Sequence, residues 1–131
     1  MTVEISSPGF GNIGNKIIQY MVCKKLNSEI SNSIICDICI DDFNIINKKS
    51  TINDNNNVII IGDDMEIPFK RLSEYLSLNK DVKILLNGFF QKIKYYPPLE
   101  DCRKIFASDM VLNHHFSDDE VVINIRCGEL T

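Results

Sequence analysis

Residues 2–26 read TVEISSPGFGNIGNKIIQYMVCKKL and contain, in order, a predicted strand, a glycine-rich turn and a predicted helix. Residues 2–6 have a short β pattern, and residues 8–15 hold three glycines in a turn. From residue 16 to residue 26 the apolar side chains recur at one-faced helical spacing, which leaves the lysines for the solvent side. A strand that turns directly into a helix begins a β-α-β unit, so this stretch predicts an α/β fold.

The remainder of the chain continues this alternation. β-rich or apolar runs predict strands at residues 33–40, 58–61, 82–86 and 121–125, and helices are predicted after Pro68 and over residues 99–106. The order β-α-β-β-α-β-α-β indicates a mostly parallel, Rossmann-like sheet flanked by helices, in a single domain over residues 1–131. Because residues 58–61 and 121–125 are apolar on both faces, we expect them to be interior neighbours in that sheet.

Composition places the chain among ordinary globular domains. It has 131 residues, of which 44% are hydrophobic and 24% are charged, and its net charge is −4. That charge disfavours nucleic acid and anionic membranes as partners. No apolar run approaches the roughly 20 residues of a membrane span. The five cysteines are odd in number and no signal peptide precedes them, so we expect a cytoplasmic location with reduced thiols.

The glycine-rich turn satisfies a short phosphate-binding pattern. Residues 9–14, GFGNIG, match G-x-G-x-x-G between a strand and a helix, the setting of the dinucleotide fingerprint. The helix N-terminus would then bind phosphate, and Asp41 or Asp42 would hold the ribose. Pro8 before the first glycine and Ile17 in place of a small residue depart from that fingerprint. A small NAD(P)-binding domain is one interpretation, and a glycine turn required only by chain geometry is another.

A longer string over residues 11–20, GNIGNKIIQY, has a second interpretation. It resembles the G-x-x-G-N-x-x-x-Q-Y opening of the α-1,2-fucosyltransferases and related bacterial glycan glycosyltransferases, which lies at the first strand-to-helix turn. Gly14, Asn15, Gln19 and Tyr20 match that opening in register. This resemblance accounts for an asparagine and a glutamine that the dinucleotide fingerprint leaves without a role.

A second resemblance to the same family lies near the other end of the chain. Residues 122–129, VINIRCGE, look like the family's strand followed by H-x-R-R-G-D. Asn124 stands where histidine is usual, and Arg126 coincides with the first arginine of the motif. Cys127 replaces the second arginine, and Glu129 replaces the aspartate conservatively.

The resemblance implies a function as well as a fold. It implies the acceptor-side N-terminal half of a two-domain GT-B glycosyltransferase that uses a nucleotide sugar such as GDP-fucose, a glycan acceptor, no metal and no other cofactor. Arg126 would neutralise charge on the leaving diphosphate through its planar fork, with Glu129 as the second catalytic candidate. The substrate-binding candidates are Gly11, Asn12, Gly14, Asn15 and Gln19. Two such halves need roughly 250–300 residues, so this chain would depend on a separate or missing donor-binding domain and is not expected to be active alone.

Several of these residues have plain structural interpretations. Arg126 could be a surface ion-pair partner of Glu120 or Glu129. Asn15 could cap the following helix, and Gln19 with Tyr20 could be buried supports of the turn. A non-catalytic interaction module of the same fold is therefore a third function class.

Two further patterns are expected to carry no chemistry. Cys36 and Cys39 form a CxxC within a β-rich run, where buried thiols are expected rather than a metal or redox site. Residues 89–96, FFQKIKYY, interleave aromatic and polar side chains and are expected to supply core and rim aromatics rather than a base-stacking surface. The polar stretch at residues 48–57 predicts an exposed loop, and the aspartates at 63 and 64 are expected to be solvated loop ends.

Overall fold

The computed structural model describes residues 2–52, 55–63, 74, 76, 80–111 and 117–123. Its strands are β1 (Val3–Ser6), β2 (Ser33–Ile35), β3 (Cys39–Ile40), β4 (Ile45–Ile46), β5 (Val58–Gly62) and β6 (Val82–Asn87). The helices whose bounds it describes are α1 (Ile13–Glu29) and α2 (Leu99–Asp109), and the helix predicted after Pro68 lies almost entirely outside the described residues. Short 3₁₀ turns cover Asp41–Phe43, Asn55–Asn57 and Ile93–Tyr95.

Within this described part, four strands form one parallel sheet in the order β2-β1-β6-β5. Ile5 of β1 lies between Ile35 of β2 and Ile84 of β6, and Ile84 in turn pairs with Ile59 of β5. The chain is therefore an α/β structure with a parallel sheet, as its alternating pattern predicts. The carboxyl ends of all four strands meet at one edge, and the loops that follow them define the candidate site.

The core forms where α1 packs on the sheet. Val3, Ile5, Ile84 and Leu86 are completely or almost completely buried, and α1 contributes a buried stripe that includes Val22 and other apolar side chains. This helix is longer at both ends than the predicted span of residues 16–26, because Asn12 already adopts the extended conformation of an N-cap residue. Helix α2 likewise extends beyond the predicted residues 99–106.

The predicted continuous strand over residues 33–40 is wrong. Strand β2 ends at Ile35, and Asp37 adopts a positive φ of 61° that no continuing strand allows. The chain then turns, and β3 pairs antiparallel with β4 in a separate two-stranded sheet. Aspartate tolerates this left-handed conformation better than most residues, so the chain can turn at this position.

The expectation that residues 58–61 and 121–125 are neighbouring interior strands is also wrong for the residues that the structure describes. Strand β5 lies at the edge of the described sheet, and its Ile60 is 57% exposed while Ile61 is fully buried. Val121, Val122 and Ile123 are exposed and outside any strand, and residues 124 and 125 lie outside the described residues. Isoleucine and valine favour β structure on half-buried surfaces too, so their abundance does not reveal a strand's neighbours.

A buried carboxylate fastens the loop at residues 48–52 to the sheet. Glu4 of β1 is 1% exposed and accepts hydrogen bonds from the Thr51 amide at 3.0 Å, the Thr51 hydroxyl at 2.8 Å and the Ser50 hydroxyl. Burial opposes ionisation of Glu4, but these hydrogen bonds prevail and lower its pKa below the ordinary value. The polar loop is thus largely exposed, as predicted, and yet held in place by a charge within the sheet.

Candidate functional site

The glycine-rich turn joins β1 to α1 at the carboxyl edge of the sheet. Gly9 and Gly11 have φ angles of 69° and 78°, which side chains strongly disfavour. A Cβ on Gly11 would also lie 2.5 Å from Nδ2 of Asn15. The helix begins at Ile13, so Asn15 lies in its first turn and the interpretation of Asn15 as the helix cap is wrong.

Gln19 holds this turn in place. Its Oε1 accepts hydrogen bonds from the Ser7 hydroxyl and the Phe10 amide, both at 2.9 Å. Its Nε2 donates to the carbonyl of Phe10 at 2.8 Å and to that of Asn15 at 3.0 Å. The side chain is 2% exposed, and these four bonds use its full hydrogen-bonding capacity. Gln19 therefore holds the glycine-rich turn in place from its buried side.

Tyr20 ties the two helices together. Its hydroxyl donates to Oδ2 of Asp109 at 2.8 Å, and Lys24 contacts the same oxygen at 3.1 Å. Burial and the neighbouring carboxylate raise the pKa of Tyr20, so the phenol stays protonated. Burial opposes ionisation of Asp109, but the hydrogen bonds it receives prevail and lower its pKa. The interpretation of Tyr20 as a structural support agrees with these contacts.

A small cleft opens beside the turn, between the carboxyl ends of β1 and β2. This β1–β2 cleft has a volume of about 140 Å³, and Gly9, Lys16 and Asp37 are among the residues that line it. Asp37 accepts a hydrogen bond from the Ser50 amide at 2.8 Å and forms an ion pair with Lys83 at 3.0 Å. Burial opposes ionisation of Asp37, but these two partners prevail and lower its pKa.

Asp37, not Asp41 or Asp42, is the acidic residue at the end of the second strand. Asp41 and Asp42 lie in an exposed 3₁₀ turn that follows β3, outside the parallel sheet. Both carboxylate oxygens of Asp37 already have protein partners. The expected ribose-binding role of Asp41 or Asp42 therefore has no support from their position.

A second cleft lies at the other end of the same edge. This β5–β6 cleft has a volume of about 270 Å³ and is lined by Asp63, Phe89, Gln91, Lys92 and Tyr95. Asp63 directly follows β5, and its two carboxylate oxygens accept hydrogen bonds from the amides of Phe89, at 2.9 Å, and of Phe90. The interpretation of Asp63 as a solvated loop end is therefore wrong, because it organises the loop that follows β6.

The loop after β6 is anchored by a buried aromatic residue and by hydrogen bonds. Phe90 is fully buried although its φ is 54°, and its ring meets that of Tyr95 edge to face at 5.1 Å. The Tyr95 hydroxyl donates to the carbonyl of Asp63. Phe89, one residue earlier, is 41% exposed. The expected division of residues 89–96 into core and rim aromatics agrees with these burials.

A ridge separates the two clefts. The rings of Phe10 and Phe89 lie 5.8 Å apart at an angle of 45°. Next to them, Nε2 of Gln91 donates to Oδ1 of Asn15 at 2.9 Å. The glycine-rich turn and the loop after β6 thus contact each other through one aromatic pair and one amide pair. We call this Phe10–Phe89 and Asn15–Gln91 contact the carboxyl-edge ridge.

Gly88 and Gly14 provide a matched test of this geometry. A Cβ on Gly88 would lie 2.6 Å from the Asp63 carboxylate, whereas one on Gly14 would meet nothing within 4 Å. Gly88→Ala is expected to lower the free energy of unfolding by about 2 kcal/mol, because the displaced carboxylate loses its amide partners. Gly14→Ala is expected to raise it by roughly 0.5 kcal/mol, because alanine favours a helix. Urea denaturation measures both, and equal effects would contradict the contact between Gly88 and Asp63.

The structure brings part of the predicted site together. Gly11, Asn12, Gly14, Asn15 and Gln19 all lie at the turn on the carboxyl edge. Arg126 and Glu129 lie outside the described residues, so their location at the same carboxyl edge as this turn stays a prediction. The sequence interpretation did not include Asp63, Phe89 and Gln91 among the candidate site residues. The sequence does contain a signal for two of them, because Asp63 and Phe89 closely follow the predicted strands at residues 58–61 and 82–86.

The CxxC cysteines lack the features of a reactive pair. Burial raises the pKa of Cys36, which is fully buried. Cys39 is exposed, but its thiol donates to Asp41 at 3.0 Å, and this hydrogen bond raises its pKa. Both thiols therefore resist forming the reactive thiolate. Over residues 2–52, 55–63, 80–111 and 117–123, no group of three or more acidic, histidine or cysteine side chains could hold a metal ion.

The dinucleotide interpretation can be tested by cofactor binding, and we expect the test to be negative. The β1–β2 cleft has less than half of the roughly 300 Å³ at which pockets for drug-sized ligands begin, and Asp37 is already engaged. We therefore expect NADH and NADPH to leave the melting temperature of the chain unchanged. At about 100 times its Kd a bound cofactor would add about 2.7 kcal/mol, which thermal denaturation detects readily. A saturable shift with either cofactor would favour the NAD(P)-binding domain instead.

In the part of the chain that the structure describes, no helix has the length and apolar character needed to cross a membrane. Comparison of the sequence and the fold with protein-family models, curated proteins and solved structures gives no match.

Proposed function

We propose that this chain is the Rossmann-like, acceptor-side domain of a glycosyltransferase similar to the α-1,2-fucosyltransferases. The observation that carries the proposal is that residues 11–20 act as one structural unit. Gln19, eight positions after Gly11, closes the turn through the Phe10 backbone, and Asn15 lies against Gly11. Asn15, Gln19 and Tyr20, the polar residues that match the family string, each make a defined contact, which supports the family resemblance better than an isolated glycine pattern does.

The position of this unit also supports the proposal. In open parallel sheets, ligands bind beyond the carboxyl ends of the strands. The turn lies at that edge, and a cleft opens on either side of the carboxyl-edge ridge. Such an edge would form one wall of the interdomain cleft in a two-domain enzyme. The nucleotide sugar would bind mainly to the other domain, with Arg126 neutralising charge on its diphosphate.

The test is a transfer assay in the whole protein that carries this domain, or in this chain mixed with a separately expressed donor-binding domain. GDP-fucose and other nucleotide sugars are supplied with neutral disaccharides in the presence of EDTA. We expect release of the nucleoside diphosphate that depends on the acceptor and does not require a metal. Absence of transfer from every donor would overturn the proposal, and retained glycan binding in that case would favour the non-catalytic interaction module.

A further inference from the structure

The Phe89 ring is held in an exposed position. It is 41% exposed, although the residue after it is fully buried. Its amide donates to Asp63 at 2.9 Å, and Phe90, in a left-handed conformation, anchors the backbone on the other side. The Phe89 ring also contacts the Phe10 ring on the carboxyl-edge ridge. An aromatic ring positioned by a buried anchor, a fixed amide and a second ring is preorganised to receive a ligand.

Polar groups with spare hydrogen-bonding capacity surround this ring. Each oxygen of Asp63 accepts one backbone hydrogen bond, and a carboxylate can accept about four in total. Gln91 is exposed, and within the described part of the chain its hydrogen bond to Asn15 uses one of its two amide hydrogens and leaves its oxygen available. Acceptors and a donor therefore line the β5–β6 cleft beside a flat apolar surface.

We infer that the β5–β6 cleft binds one neutral sugar ring of the acceptor glycan. The weakly positive C–H groups on one face of a pyranose suit the negative face of the Phe89 ring. Its hydroxyls suit Asp63 and Gln91 as hydrogen-bond partners. A volume of about 270 Å³ is appropriate for a single ring rather than a long chain. This inference rests on the proposed function and specifies where its acceptor binds.

A nucleotide is the alternative occupant, and the charges disfavour it. Nucleotide sites combine aromatic stacking with positive charge along the phosphates. Among the described residues that line the β5–β6 cleft, Lys92 is the one cation, and the Asp63 carboxylate offsets its charge and repels phosphate. A neutral, hydroxyl-rich ring therefore matches the cleft better than an anion does.

The experiment is a titration of the chain with lactose, maltose and cellobiose in turn, followed by NMR of the backbone amides. We expect at least one disaccharide to cause saturable shifts at residues 88–92 in the millimolar range. Phe89→Ala is expected to weaken this binding about tenfold. Phe89→Leu is expected to weaken it comparably, because leucine keeps apolar bulk but lacks the flat ring. Gln91→Ala is expected to weaken it to a smaller extent.

Phe106→Ala is the matched control. Phe106 is 44% exposed and packs edge to face on Phe43 at 5.7 Å, so it resembles Phe89 in exposure and in having an aromatic partner. Its loss is expected to leave sugar binding unchanged. The inference is overturned if no disaccharide causes saturable shifts, if Phe89→Ala and Phe106→Ala bind equally well, or if adenosine monophosphate binds this cleft more tightly than the sugars.

The two proposals fail separately. Sugar binding at residues 88–92 without any transfer would contradict the proposed glycosyltransferase function and support the cleft as a glycan-binding site. Transfer that Phe89→Ala leaves unaffected would keep the enzyme and place the acceptor elsewhere.

Discussion

Arg126→Ala is expected to lower the rate of sugar transfer by about 10²-fold or more, with little effect on stability. Negative charge develops on the leaving diphosphate in the transition state, and a guanidinium supplies two charge-assisted hydrogen bonds to phosphate oxygens. Arg126→Lys is expected to restore activity only in part, because a point charge cannot replace a bidentate fork. The measurement is kcat for transfer from the nucleotide sugar in the whole protein or the two-domain mixture.

Arg103→Ala is the control for this prediction. Arg103 lies exposed on α2, away from the carboxyl-edge turn in the chain, and its removal changes the net charge equally. Its loss is expected to leave transfer near the rate of the unsubstituted protein. Near-normal turnover in Arg126→Ala would contradict the assignment of residues 122–129 to the family motif and would remove the main chemical support for the proposed function.

Gln19→Leu is expected to lower the free energy of unfolding by about 3 kcal/mol. Leucine fills a similar volume but leaves the Phe10 amide, the Phe10 carbonyl and the Ser7 hydroxyl without the partner they have now. Buried or half-buried polar groups that lose their partners cost about 1–3 kcal/mol each, partly recovered where water enters. Gln19→Glu is also expected to lower the free energy of unfolding. Glutamate keeps the oxygen that accepts from Ser7 and Phe10 but loses both N–H donors. Urea denaturation at neutral pH gives the values.

The other glutamine of the chain is the control. Gln91 is exposed and has one side-chain hydrogen bond to another described residue, Asn15, so Gln91→Leu is expected to change the free energy of unfolding by roughly 0.5 kcal/mol or less. NMR amide shifts at Gly9 and Phe10 should change strongly in Gln19→Leu and weakly in Gln91→Leu. If the two variants were equally stable, Gln19 would not be what holds the turn.

The long-range contacts at the site explain why the string at residues 11–20 can be read from sequence while the structural roles of its residues cannot. The spacing of Gln19 and Tyr20 identifies the string, but the partners are distant in the chain. Tyr20 reaches Asp109 and Asn15 reaches Gln91, contacts that span 89 and 76 positions. Asp63 meets the amides of Phe89 and Phe90 in the same way. No local pattern contains such pairs, since they depend on which strands become neighbours.

The amino-acid sequence by itself determined the α/β class, the position of the glycine-rich turn and most helices and strands in the described part. These features depend on local physics: glycines at positive φ, apolar side chains at helical spacing, and β-branched runs. Tertiary structure alone decided that β5 lies at the edge of the described sheet, that the chain turns at Asp37 after the second strand, and that Asp63 and Phe89 share a cleft. Strand order and buried polar contacts follow from the summed packing of distant segments, because a half-buried and a fully buried isoleucine strand read alike in sequence.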